Sequence, residues 1–202
     1  MEKKVLIVID VQNDFLPGGA LAVPQGDTIL PTVNNLIDNF DHVILTQDWH
    51  PQNHCSFASS YCGKIPYDTV NLSYGSQILW PDHCIQGTQG AEFHPSLKID
   101  KAQLILRKGY NKNIDSYSAF FENDQKTPTG LHAYLKEHGF TKLALCGLAT
   151  DFCVGFSALH AIKCGFKVSV SLNACAGIDL NDSLNTILKT MNETGVELLM
   201  TS

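Results

Sequence analysis

The sequence predicts an α/β fold with a parallel sheet, and three observations predict it. Six short runs rich in Val, Ile and Leu recur along the chain, helical patterns fall between them, and no repeat, low-complexity tract or linker divides the whole. The first run, Lys4 to Asp10 (KVLIVID), is apolar throughout and closed by a carboxylate, as suits a strand buried on both faces. Comparable runs lie at His42 to Asp48, Ala102 to Lys108, Leu143 to Cys146, Lys167 to Leu172 and Val196 to Met200. Helical patterns cover roughly Thr28 to Phe40, Gly130 to His138, Phe152 to Lys163 and Asn181 to Glu193, with Pro31 early enough to sit in an opening turn. Strands alternating with helices give parallel pairing and right-handed crossovers. The exception is Pro51 to Ser96, which has little periodicity, several prolines and clustered Cys and His; a loop this long inside one domain is usually functional.

Composition narrows the function. At 202 residues with 44% hydrophobic and 17% charged residues, the chain has the make-up of one well-buried globular domain. A formal charge of −6 and the lack of a basic block argue against nucleic-acid or anionic-membrane partners. Seven cysteines, an odd number without a disulfide-like framework, point to a reducing compartment and a cytoplasmic protein. The opening apolar run is too short for a signal peptide or a membrane span. The oligomeric state stays open, a homo-oligomer being compatible with the sequence.

The stretch Lys142 to Gly165 carries the strongest chemical signal. It reads as a buried strand, a turn from Gly147 to Asp151, and a helix entered through Cys153, with Thr150 and Asp151 as candidates for its N-cap. A thiol in a first helical turn is favoured as thiolate, and the free N–H groups there can hold an oxyanion. Asp10 closes the first strand and Lys108 the third. In open parallel sheets, sites form at the carboxyl ends of strands where strand order reverses. The order 3-2-1-4-5-6 would bring Asp10 and Cys153 face to face, with Lys108 and Asp48 arriving from neighbouring strand ends. An amine to stabilise a thiolate and a carboxylate to move its proton make a coherent hydrolytic set.

A second constellation is Asp48, His50 and His54, with His83 further along in WPDHC. Carboxylate and imidazole ligands suit zinc, manganese or iron, and a site without thiolates resembles a catalytic one. The competing arrangement places Cys55, Cys62 and Cys84 with His54 in a structural zinc site, although their spacing matches no standard motif. Phe15, Trp80 and Tyr117 lie near these residues in sequence and can wall a pocket for a flat ring. His42, His94, His132, His138 and His160 read as surface or packing residues.

Long stretches of the chain resemble the nicotinamidases of the isochorismatase-like cysteine hydrolase family: LIVIDVQNDFLPGGALAV, TQDWHPQNHCSFAS, LWPDHCIQGTQGAEFHP, RKGYNKNIDSYSAFF and GLATDFCV. The resemblance covers essentially the whole chain. It implies one domain over residues 1–202, a three-layer α/β/α sandwich on a six-stranded parallel sheet, with a metal-binding insertion at about 49–96. It implies Asp10, Lys108 and Cys153 as catalytic triad, and a divalent ion, zinc before iron or manganese, on Asp48, His50, His54 and His83. It further implies a cis peptide between Leu148 and Ala149, an oxyanion hole from the Ala149 and Cys153 amides, and Phe15, Trp80, Tyr117 and Leu148 around the substrate. The implied activity is hydrolysis of nicotinamide, and of pyrazinamide, through a cysteine thioester. Cys55 departs from the pattern, standing where relatives often carry Gly. The rivals are a relative acting on another amide, ester or vinyl ether, and a non-catalytic protein on the same scaffold.

Overall fold

A computed structural model describes residues 2–200. Its frame is a six-stranded, all-parallel sheet in the order β5-β2-β1-β6-β7-β8. The strands are β1 (Lys3–Ile9), β2 (Val43–Asp48), β5 (Ala102–Lys108), β6 (Phe140–Leu148), β7 (Lys167–Ala176) and β8 (Glu197–Leu199). Counted within this sheet alone, the order is the expected one, with reversal between β1 and β6. All five side chains from Val5 to Ile9 are buried, and burying an aliphatic side chain of this size contributes about 1.5–3 kcal/mol.

Helices α1 (Leu30–Asn39), α2 (Leu131–Glu137), α3 (Gly155–Lys163) and α4 (Ser183–Glu193) flank the sheet. Helix α1 buries Leu30, Val33 and Ile37, and α4 buries Ile187 and Met191, the one-sided spacing of helices laid on a sheet. Helix α3 buries mostly small residues instead, Gly155, Ser157, Ala158 and Ala161, together with His160. Where β6 meets β1, Gly147 has φ 117°, and a Cβ there would stand 2.1 Å from Ile9 O. Only glycine permits that approach.

Two features depart from expectation. The segment after Pro51 contains a short antiparallel hairpin, β3 (Thr69–Leu72) with β4 (Gly75–Ile78), which its polar, brief strands did not announce. Strands β6 and β7 also outrun their apolar runs, to Leu148 and Ala176, pairing on past a register irregularity between Leu145 and Gly147. No helix of the described residues is long and apolar enough to cross a membrane.

Candidate active site

The carboxyl ends of β1, β2, β5 and β6 bring Asp10, Asp48, Lys108 and Cys153 together. Lys108, whose length suggests a surface charge, is 1% exposed. Its Nζ donates to Asp48 Oδ1 at 2.5 Å, to Ser116 O at 2.9 Å and to Cys153 Sγ at 3.3 Å. Asp10 Oδ2 lies 2.9 Å from the same nitrogen, a buried ion pair. The opposite oxygen, Oδ1, accepts the Thr46 hydroxyl at 2.6 Å. Asp10 thus has one oxygen tethered and one held in the cluster.

Charge balance fixes the protonation tendencies. Burial lowers the Lys108 pKa, but Asp10, Asp48 and Cys153 outweigh it and hold the amine well above its usual range. Burial raises Asp48, whereas Lys108 and His50 prevail and keep it well below the carboxylate range. Asp10 is raised, chiefly by burial, with Lys108 opposing and Asp48 reinforcing. Burial also pushes the Cys153 thiol well up; Lys108 pulls it down, and the two carboxylates push it up again. Burial first, and then the two carboxylates, thus oppose the thiolate that the helical turn and Lys108 favour.

Cys153 lies in a wide helical turn (Thr150–Val154) ahead of α3, where Val154 N–H reaches back five residues to Ala149 O at 3.1 Å. The Leu148–Ala149 peptide is cis. Thr150 and Asp151 do not cap this turn. Asp151 instead accepts Ile178 N–H at 3.0 Å, Asp179 N–H at 2.7 Å and the Ser183 hydroxyl at 2.5 Å, fastening the β7–α4 loop onto the nucleophile turn. The resemblance places Leu148 beside the substrate. Its side chain is fully buried in the core, and Ala149 takes the place on the cavity wall.

Beside the cluster, Asp48 Oδ2 faces His50 Nε2 at 3.5 Å and His83 Nε2 at 3.8 Å. Both rings are held from behind: His50 Nδ1–H donates to Gly109 O at 2.9 Å, and His83 Nδ1–H to Pro81 O at 2.7 Å. Each Nε2 therefore turns a lone pair inward, as in metal-ligating histidines whose other ring N–H is held by a carbonyl. Gly109 (φ 67°) is required there, since a Cβ would stand 2.5 Å from His50 Cε1. Gln12, wholly buried, clamps the Asp48 backbone, donating to its carbonyl and accepting from its N–H, both at 2.8 Å. Asp48, His50 and His83 fit a divalent cation by donor chemistry, and positive charge suits a pocket with two carboxylates and one amine.

His54 packs against His50, ring centroids 4.4 Å apart, but both its nitrogens have other partners: Ser56 Oγ at 2.7 Å and Asn111 O at 2.9 Å. In this arrangement it presents no lone pair beside Asp48. Burial, with His50 nearby, pushes its pKa down to about 4. Among the described residues, the groupings able to hold a metal take no ligand from Cys55, Cys62 or Cys84. Cys55 turns toward the Tyr74 hydroxyl, 3.6 Å away.

These groups open on a cavity lined by Phe15, Trp80, Tyr117, Phe152, Ile178 and Cys153 among others. Trp80 meets Phe152 edge-on at 4.9 Å, and Phe15 meets His83 edge-on at 5.5 Å. The free space is about 20 Å³, so the aromatic walls stand nearly in contact. A larger surface cleft of about 660 Å³ around Pro17 and Pro95 is lined by no Cys, Ser, Thr or Lys. Sequence reasoning missed Thr46, Gln12, Asp115 and Ile178. Gln12 lies inside the DVQNDF stretch and was the one within reach.

Comparison with known proteins follows the same lines. The isochorismatase domain model matches residues 4–202. A nicotinamidase of Acinetobacter baylyi is 54% identical, over 95% of this chain and 90% of its own. A solved nicotinamidase/pyrazinamidase of Acinetobacter baumanii superposes with TM-score 0.97 at 56% identity, covering 98% of this chain and 96% of that one. A pyrazinamidase of Pyrococcus horikoshii, solved in complex with zinc, gives TM-score 0.80 at 35% identity, covering 98% and 99%.

Proposed function

The chain belongs to the isochorismatase domain family, and from that premise we propose that it hydrolyses nicotinamide to nicotinate and ammonia through a thioester on Cys153. The observation that carries the reading is the contact of Lys108 Nζ with Cys153 Sγ and both carboxylates at the edge of an aromatic-walled cavity. Phe15, Trp80 and Tyr117 hold the ring. A divalent cation on Asp48, His50 and His83, with His54 behind them, would supply Lewis acidity toward a ring nitrogen. Zinc is the preferred ion, as in the archaeal relative solved with it, with iron or manganese as alternatives.

Asp10 takes the thiol proton as Cys153 sulfur bonds to the carboxamide carbon. The backbone amides of Ala149 and Cys153 receive the resulting oxyanion. Asp10 returns the proton to the amide nitrogen, the C–N bond breaks, and ammonia leaves a thioester. Water then adds to the acyl carbon with its proton passing to Asp10, the C–S bond breaks, and the sulfur is reprotonated. Lys108 stays charged throughout, stabilising sulfur as it gains negative charge. Pyrazinamide offers the same ring nitrogen and carboxamide and should also react, in keeping with the names of two of the relatives. The chain would act in salvage of the pyridine ring, in the cytoplasm.

The test is ammonia release from nicotinamide by the purified chain, by Cys153→Ala, and after chelation. The reading expects activity in the first and loss in the other two. Full turnover by Cys153→Ala would end it. Turnover of nicotinamide without metal, untouched by chelation, would refute the part given to the cation, and no ammonia release from nicotinamide by the metal-loaded chain would favour a relative acting on another amide.

A further inference from the structure

Gln77 lies on β4, is 1% exposed, and does not line the cavity. Its side-chain amide nonetheless holds the cavity wall from behind. Nε2 donates to Asp115 Oδ2 at 3.0 Å and lies 3.1 Å from Tyr117 Oη and 2.8 Å from Ile78 O. Oε1 accepts the Tyr74 hydroxyl at 3.0 Å and Asn123 Nδ2–H at 3.1 Å. Only one orientation of the amide works, because the carboxylate and the carbonyl must face the NH₂ while the Asn123 NH₂ must face the oxygen. Tyr117 is pinned twice more: its N–H donates to Asn123 Oδ1 at 3.0 Å, and its hydroxyl accepts Trp80 Nε1–H at 3.2 Å.

We propose that Gln77 is a positioning residue for the substrate ring, fixing Tyr117, Trp80 through the shared hydroxyl, and the Asp115 carboxylate. The inference rests on the nicotinamide reading above. Three of the residues it fastens line the cavity, whose walls leave so little room that a small pivot of Tyr117 changes the space between them. Losing the amide leaves a buried carboxylate one donor short and without a fixed direction. His50 and His54 lie beside it, with ligand atoms within 4.8 Å of one of its oxygens, but their N–H groups are already given to Gly109 O and Asn111 O and cannot replace the amide. Ser116, the next residue, gives its carbonyl to Lys108, but that bond is fixed also by Asp115 Oδ1 accepting Ser116 N–H at 2.8 Å. Ring binding should therefore suffer more than the chemical step.

The experiment compares Gln77→Met, which keeps the length and loses the amide, and Gln77→Glu, which keeps the shape but sets an acceptor against Asp115. KM and kcat are read from ammonia release, nicotinate Kd by calorimetry, and folding by Tm. Gln77→Met should raise KM and nicotinate Kd about tenfold while kcat stays within about threefold, and Gln77→Glu should raise KM further. In a Tyr117→Phe background the effect of Gln77→Met should shrink to less than about threefold, since the shared hydroxyl is already gone. A folded Gln77→Met with wild-type KM, or effects that multiply independently of Tyr117→Phe, would overturn the inference. If Gln77→Met does not fold, Tyr117→Phe must reproduce the rise in KM, and an unchanged KM there overturns it equally. Wild-type protein releasing no ammonia would sink the reaction itself, whereas an active wild type with an unresponsive Gln77→Met sinks only this role.

Discussion

Replacing Thr46 by Val tests how Asp10 is aimed. Thr46 is fully buried in β2, and its hydroxyl donates to Asp10 Oδ1 at 2.6 Å while accepting Asp10 N–H at 3.2 Å. Valine keeps the shape and removes both bonds. A hydrogen bond to a charged group contributes about 1.5–3 kcal/mol, and stranding a buried N–H costs about 1–3 kcal/mol. Lys108 still neutralises the carboxylate, so the two losses do not simply add, and a net destabilisation of about 2–4 kcal/mol is expected. For a chain of this size that lowers Tm by about 5–15 °C. The kinetic loss is separate, because an untethered carboxylate rotates and Oδ2 leaves its place beside Lys108. A fall in kcat of about tenfold to hundredfold is expected, against less than about threefold for Thr46→Ser, which keeps the hydroxyl. Thermal unfolding by circular dichroism and ammonia release from nicotinamide give the two numbers. Wild-type kcat in a folded Thr46→Val would refute the idea that this hydroxyl aims the proton carrier.

Three further outcomes can be checked. Gly109→Ala should weaken zinc affinity about tenfold or more in competition with a chromophoric chelator, because the new methyl displaces the His50 ring; unchanged affinity would count against the ligand set. Asp151→Ala removes the acceptor of Ile178 N–H, Asp179 N–H and the Ser183 hydroxyl, and should expose the β7–α4 loop to limited proteolysis and raise KM. Equal cleavage rates in wild type and variant would contradict it. His160 has a pKa lowered first by burial and then by Lys163, and its Nδ1 has no partner among the described residues. The unfolded chain therefore takes up a proton that the folded one resists, so this contribution to stability is whole above about pH 6.5 and falls as pH drops toward the folded value. Urea midpoints should lose part of that slope in His160→Leu, with His54 carrying the rest, and identical slopes would show that His160 contributes none of it.

The strands were legible because a sheet covered on both faces demands unbroken Val, Ile and Leu, and few other structures do. Asp10, Asp48, Lys108 and Cys153 were legible for a related reason: a polar residue at the end of such a run has to emerge where the sheet opens. Thr46 was hidden by that same logic, since a threonine inside an apolar strand looks like a β-branched filler. The hairpin carrying Gln77 was illegible because its strands are short and mostly polar, and its buried amide reaches Asp115, Tyr117 and Asn123 from 38 to 46 positions away. Asp151 misled because a carboxylate beside a turn suits an N-cap, and only the folded chain shows the β7–α4 loop competing for it. His54 showed its chemistry but not its rotamer, which depends on Ser56 and a carbonyl of a remote loop.

Lys108 hangs from the rim of the sheet. Strand β5 has a neighbour on one side only, and its residues alternate between half-covered and open to water until Lys108 itself. Margins of this kind fray before interiors do. A brief detachment of β5 would withdraw the amine while Asp10 and Cys153 remained seated on the inner strands β1 and β6. Turnover should then fade at denaturant concentrations that leave the far-ultraviolet spectrum untouched, making the enzyme's own rate the earliest gauge of its unravelling.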